Sequence, residues 1–305
     1  MTKKISGGVL SPVVTPFDAE LRPDRTRWLA HCRWLLSQDC GLAIFGTNSE
    51  ANSLSLAERR DLLETAAQEL DPGRLMPGTG ACALPDAVEL TRAAVDSGCA
   101  GVLMLPPFYY KGVPDDGLFA FYSEIIQRIG DERLRIYLYH IPPVSQVPIS
   151  LDLIERLLAE YPGTIAGVKD SSGDWANTAA MIERFDDFDV FAGSEEFLLP
   201  TLRAGGAGCI SATANINPAA IHDVFVNWEA PDADARQEAI TAFRRGIAKF
   251  PMIPALKAVI GLRTDDPDWG RVRPPLMRLD EAALTALAQV IDQADFQMPG
   301  RREAA

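Results

Sequence analysis

The chain of 305 residues is poor in the side chains on which several large functional classes depend. Its three histidines, His31, His140 and His222, lie far apart without an HxxxH spacing, so a zinc site of sequence-local ligands is not expected and no metal is required. Its five cysteines, Cys32, Cys40, Cys82, Cys99 and Cys209, form no CxxC pair, and neither their number nor the chain length fits a disulfide scaffold. Reduced thiols follow. No window reaches the roughly 18 to 20 apolar residues of a membrane span. The lysines of "MTKKISGGVLSP" precede no apolar stretch of the kind a signal peptide carries, and a cytoplasmic location is the expectation. Basic residues are outnumbered, 29 against 42 acidic, and the formal charge of -13 with no Lys/Arg cluster argues against nucleic acid as a partner, because phosphate contacts need a basic face. The pairs Arg244-Arg245 and Arg301-Arg302 read as solvated helix and tail positions. A GxGxxG phosphate turn is missing after the first strand pattern, which argues against a doubly wound dinucleotide fold.

What is present is a globular composition, 47% apolar and 23% charged, with regular punctuation. Eight apolar or β-branched runs bounded by Gly or Pro recur: "GGVLSPVVTPF", "GLAIFG", "LMPGTG", "GVLMLPP", "RIYLYHIPP", "IAGVKD", "VFAGS" and "GCISATAN". Between them lie segments such as "SLAERRDLLETAAQEL" and "SLDLIERLLAEY", with apolar residues at helical spacing. Continuous apolar strands alternating with amphipathic helices predict a parallel sheet covered by helices, and eight such units predict a (β/α)8 TIM barrel. Four further helical patterns follow without a strand. The expected division is a barrel over 1–225, a C-terminal helical extension over 226–296 that packs on the barrel and offers subunit contacts, and a tail over 297–305.

In such a barrel the chemistry sits at the C-terminal ends of the strands. Lys169, one of only six lysines, ends the sixth candidate strand in "IAGVKDSS". It is either one half of an ion pair with Asp170 or Glu195, or an amine whose pKa is lowered by apolar surroundings and which can attack a ketone. Tyr139, at the end of the fifth candidate strand, is a core aromatic or a proton relay beside that amine. Tyr109 and Tyr110 lie in an aromatic loop that suits an interface, and "GTNSE" suits a helix cap or a binding turn.

Taken in barrel order, "TPF", "GTNSEA", "PFYY", "YHIPP", "GVKDSSGD", "GSEE" and "GCISATAN" resemble the dihydrodipicolinate synthase and N-acetylneuraminate lyase superfamily of class I aldolases, from about Gly8 to about Pro275. The C-terminal "LKAVIGL" and "RVRPPL" share the resemblance. It implies a barrel, usually a homotetramer built as a dimer of dimers, that forms a Schiff base with pyruvate or another 2-keto acid and needs no cofactor beyond that covalent imine. It carries the imine to Lys169, the proton shuttle to Tyr139, and a tyrosine donated from a neighbouring subunit to Tyr109. Substrate contacts fall on Thr47, Asn48, Ser171, Gly193, Glu195, Glu196 and Ile210.

The departures are informative. Asn48 stands where the family has a second hydroxyl, and an amide cannot pass a proton as a hydroxyl can. Val144 stands where the synthase branch has an arginine for the carboxylate of aspartate semialdehyde. Glu195 and Glu196 match the acidic pair with which the lyase branch holds sugar hydroxyls, and they would repel a second carboxylate; alternatively they serve a helix N-terminus. Ala212 stands at the lyase branch's strand-eight serine. The expectation is a Schiff-base lyase that cleaves or dehydrates a 2-keto-3-deoxy sugar acid or similar 4-hydroxy-2-keto acid. The alternatives are 4-hydroxy-tetrahydrodipicolinate synthase and a keto-acid binding barrel without catalysis.

Overall fold

The computed structural model describes residues 7–300. Residues 1–6, the Arg301-Arg302 pair and the end of the tail lie outside the described residues. Seven parallel strands form one sheet: β1 (Gly8–Ser11), β2 (Gly41–Leu42), β3 (Val102–Met104), β4 (Ile136–His140), β5 (Ile165–Asp170), β6 (Asp189–Ala192) and β7 (Gly208–Ile210). Their order is β2-β1-β7-β6-β5-β4-β3, so the two ends of the sheet are β2 and β3.

The third of the eight sequence runs, "LMPGTG", closes the ring between those ends without being a regular strand. Leu75 bridges Leu42 and Gly78 bridges Leu103, both parallel, and Met76 and Gly78 donate backbone bonds of 2.8 and 2.7 Å to Leu42 and Ile44. Pro77 sits in the middle of the segment and has no N–H to give the ladder, which explains the interruption. Gly78 is required there: a β-carbon would lie 2.2 Å from the Phe45 carbonyl oxygen. The eighth stave is therefore a pair of bridges, and the architecture is an α/β barrel.

Helices cover the outside, and several start where the sequence supplies a cap. Ser55 and Glu58 form a reciprocal capping box at the helix Leu56–Glu69, and Asp24, Ser150, Asp174 and Asp280 each accept a backbone N–H at the helix they precede. Each such cap contributes about 1 kcal/mol. The strands are buried on both faces, which is why they read as continuous apolar runs rather than alternating ones. Alternation survives in space. Leu10, Met76, Leu103, Tyr137, Tyr139 and Phe191 belong to a cluster inside the barrel, whereas Val9, Ile136, Leu138 and Val168 belong to the larger core under the helices. Full burial of side chains of this size stabilises by about 1.5–3 kcal/mol each.

Beyond β7 come the helices Pro218–Val226, Ala233–Ile247, Met252–Thr264 and Glu281–Gln293. They are tied to the rim formed by the C-terminal ends of the strands. Gln237 donates to the Glu195 carbonyl at 2.8 Å and accepts from the Leu199 N–H at 2.9 Å. Lys257 Nζ reaches Glu50 Oε1 at 2.6 Å, and Arg273 holds both carboxylate oxygens of Glu58.

Candidate active site

The fifth and sixth sequence runs are β4 and β5, and their register sets the site. Tyr139 is the Cα partner of Lys169 in the parallel ladder, so the two side chains leave adjacent strands toward the same side, near the C-terminal ends. Lys169 is 2% exposed, and its Nζ lies 3.3 Å from the Tyr139 hydroxyl and 4.4 Å from the centroid of that ring. On the other side, the Tyr139 hydroxyl is 3.1 Å from Thr47 Oγ1. An amine, a phenol and an alcohol thus form one short chain.

The ion-pair reading of Lys169 fails on geometry. Among the described residues no carboxylate lies within 4.0 Å of its nitrogen. Asp170 is engaged elsewhere, accepting from Ser172 N at 2.9 Å, Asn177 Nδ2 at 3.1 Å and Thr178 Oγ1 at 2.6 Å. The only side-chain hydrogen bond of Lys169 among the described residues is thus the one to the Tyr139 hydroxyl, and no carboxylate ties the amine down.

A cavity of about 650 Å³ opens above this chain of groups. Thr47, Asn48, Tyr139, Lys169, Ser171, Gly193 and Glu196 line it, and so do Val144 and Ala212. Gly193 is needed at its place, because a β-carbon there would fall 2.1 Å from Ser171 Oγ. The loop that carries Thr47 and Asn48 is bounded by two non-glycine residues in the left-handed region, Phe45 at φ 61° and Glu50 at φ 57°. Such conformations cost about 1–3 kcal/mol each. Phe45 is held by stacking on Trp28, and Glu50 by Lys257.

Three of the expected site residues stand apart from this cavity. Glu195 turns away from it: its carboxylate is fully buried and accepts from the hydroxyls of Ser211 and Thr213, with Arg244 Nη1 at 3.6 Å. The reason is local. Glu195 and Glu196 are successive residues of a 3-10 turn capped by Ser194, so their side chains point in different directions, and only Glu196 reaches the cavity. Burial pushes the Glu195 carboxyl up, against the pull of Arg244. Ile210 packs inside the barrel, fully buried and paired in register with Leu10, and is absent from the cavity wall. Tyr109 is 74% exposed and forms an edge-to-face pair with Tyr110, their centroids 5.4 Å apart, outside the cavity wall of its own chain.

Other lining residues come from the C-terminal extension: Arg244, Pro251, Met252, Ile253, Pro254 and Leu276. Arg244 is a correction to the sequence reading, which placed it with Arg245 on a solvated face. Arg245 is exposed and pairs with Glu196 at 2.8 Å, but the Arg244 side chain is 16% exposed and faces the site. Helical periodicity alone separates the two by 100° around the axis.

His140 has a scaffolding part: its Nδ1 accepts from the Ile149 N–H at 3.0 Å, and burial holds its pKa down. A second concavity, of about 490 Å³, lies between the helices Met252–Thr264 and Glu281–Gln293, and its wall carries no amine or thiol nucleophile. Among the described residues no group of three His, Cys, Asp or Glu side chains is placed to hold a metal ion, and no helix is long and apolar enough to cross a membrane.

Fold and sequence relationships together define an α/β-barrel lyase of the class I aldolase type. Residues 5–294 match the model of the Dihydrodipicolinate synthetase family, and the chain belongs to that family. It is 33% identical over 283 residues to the "Uncharacterized DapA-like lyase" of Chloroflexus aurantiacus, covering 92% of this chain and 94% of the relative. It is 31% identical over 285 residues to the 4-hydroxy-tetrahydrodipicolinate synthase of Methanopyrus kandleri, covering 90% and 91%. The crystal structure of dihydrodipicolinate synthase from Agrobacterium tumefaciens superposes with a TM-score of 0.87 at 32% identity, over 94% of this chain and 99% of that one.

Proposed function

We propose that the chain acts on a 2-keto acid through an imine on Lys169 and cleaves or dehydrates a 4-hydroxy-2-keto acid of the 2-keto-3-deoxy sugar acid class. The observation that carries this reading is the buried, carboxylate-free amine 3.3 Å from the Tyr139 hydroxyl at the floor of a 650 Å³ cavity. The Lys169 amine attacks C2 and water leaves, giving an iminium that acts as an electron sink. Tyr139 takes the proton of the C4 hydroxyl, the C3–C4 bond breaks, and its electron pair moves into the iminium to form an enamine. C4 departs as an aldehyde. Protonation at C3 and hydrolysis then release pyruvate and restore the amine. In the dehydrating direction the iminium loses a C3 proton and the C4 hydroxyl departs as water, with Tyr139 supplying the proton. Thr47 Oγ1, 3.1 Å from the phenol, is the next position for a proton and a contact for the C1 carboxylate; Asn48 adds hydrogen bonds but no relay.

The synthase reading is disfavoured by Val144, which is 62% exposed at the cavity wall and offers a carboxylate nothing at the position where the synthase branch has its arginine. Tyr109, remote from its own cavity, takes its part in this reading only across a subunit contact, so the proposal includes a homo-oligomer.

Borohydride reduction in the presence of pyruvate, followed by intact-mass and peptide analysis, tests the proposal. Added mass is expected on Lys169 and absent in a folded Lys169→Ala variant. A keto-acid binding barrel without imine chemistry would gain no mass, and adduct on Lys257 would refute the assignment.

A further inference from the structure

Arg244 lines the cavity and makes only a loose ion pair with Glu195, which leaves most of its donors unused. Its contacts among the described residues are both through Nη1: Ser211 Oγ at 3.5 Å and Glu195 Oε2 at 3.6 Å. These are at or beyond the outer limit of a hydrogen bond. Glu195 does not close on it because its two oxygens are taken by Ser211 and Thr213. The guanidinium Nε and Nη2, three N–H donors, therefore have no protein partner among the described residues. The side chain is nevertheless five-sixths buried and lines the cavity that holds Lys169.

Charges around it are otherwise compensated. Glu196, the other carboxylate near this wall, is paired with Arg245 at 2.8 Å, and Asp170 is saturated by three donors. The acidic pair of "GSEE" thus does not make the wall repel an anion. With Lys169 covalently engaged, Arg244 is the remaining cation in the cavity lining. A planar fork with free donors, held in a poorly solvated wall, is matched by a carboxylate, which it can bind through two parallel bonds.

We infer that Arg244 determines specificity at the far end of the substrate, by binding a second carboxylate of a 2-keto dicarboxylic acid whose keto end is held at Lys169. The cation that the synthase branch places after the fifth strand is supplied instead from the C-terminal helix Ala233–Ile247, on the β6–β7 side of the mouth. The inference rests on the imine reading for the orientation of the ligand, and the test separates the two.

Borohydride trapping at Lys169 is titrated with pyruvate, with the diacids 2-oxoglutarate and 2-oxoadipate, and with the chain-matched monoacids 2-oxopentanoate and 2-oxohexanoate. The wild-type chain is expected to reach half-saturation with at least one diacid at about tenfold lower concentration than with its monoacid, as one charge-assisted contact implies. Arg244→Ala should abolish that preference while leaving the pyruvate titration within about twofold. Arg244→Lys should restore part of it, and Arg236→Ala, which removes a surface cation from the same helix, should retain it. Equal trapping of diacid and monoacid by the wild type would overturn the inference, as would an Arg244→Ala variant that loses pyruvate as severely as diacid. If pyruvate itself is not trapped, the imine reading fails on its own. The same variants then decide Arg244 through the thermal shift induced by diacid against monoacid.

Discussion

Two lysines are withdrawn from solvent in this barrel, and each stacks on an aromatic ring at nearly the same distance. Lys169 Nζ is 4.4 Å from the Tyr139 centroid, and Lys257 Nζ is 4.5 Å from the Phe17 centroid. Lys257 is 0% exposed and closes on Glu50 at 2.6 Å, and it does not line the 650 Å³ cavity. Lys169 has a phenol in place of the carboxylate and a cavity above it. Burial lowers Lys257 to about 8 even though Glu50 pulls the other way, so a depressed amine pKa does not by itself identify chemistry. The difference lies in the neighbour and the access. A carboxylate makes Lys257 a strut across the barrel mouth; a phenol and open volume leave Lys169 within reach of a ligand.

That contrast is most exposed to test by exchange of the pyruvate methyl protons with deuterated solvent, which requires an imine and its enamine but no knowledge of the second substrate. Lys169→Ala is expected to slow exchange at least about 10³-fold, as removal of a covalent nucleophile does. Its thermal stability should hold or rise, because a buried amine without a carboxylate partner is removed. Tyr139→Phe is expected to slow exchange by about 10²–10⁴ while pyruvate is still trapped at Lys169. An unchanged exchange rate would return Tyr139 to the role of a core aromatic.

Lys257→Met should behave in the opposite way, retaining the adduct on Lys169 but losing about 3–5 kcal/mol of stability in denaturant titration, because Glu50 is left buried without its partner. Pairing it with Glu50→Leu should recover much of that loss. If Lys257→Met removed the adduct and left stability intact, the two lysines would have to exchange roles. The smallest effect concerns Glu58, which Arg273 holds down to about 2 against an ordinary 4.5. Between those values the unfolded chain binds the extra proton, so this contribution to stability is complete above pH 4.5 and is lost as the pH falls toward 2. Glu58→Gln should flatten that stretch of the stability profile, measured by denaturant midpoints at pH 5 and pH 3.

Much of the barrel was legible because its signals are local. The alternation of apolar runs with capped helices, and Lys169 at the end of one run, are properties of short windows. The third stave was over-read as a strand, since Pro77 breaks its ladder while leaving its hydrophobic pattern untouched. Glu195 and Glu196 looked equivalent in "GSEE", yet a one-residue step around a 3-10 turn sends one to Ser211 and Thr213 and the other to the cavity. Arg244 carried no signal at all. A pair of arginines on an amphipathic helix reads as solvated until something packs against one of them.

The groups proposed for the keto end were determined by the sequence itself: an amine, a phenol and a hydroxyl at the ends of consecutive or facing runs, placed by strand register, which is a short-range property of a parallel sheet. The far end of the cavity was decided only by tertiary structure. Its wall is built from Arg244, Met252, Ile253 and Leu276, dozens of residues beyond the last strand. Their positions follow from how the C-terminal helices lie across the barrel mouth, anchored by Lys257 on Glu50 and Arg273 on Glu58. Long-range packing of that kind leaves no period in the chain, because the contacts that set it are made between segments some two hundred residues apart.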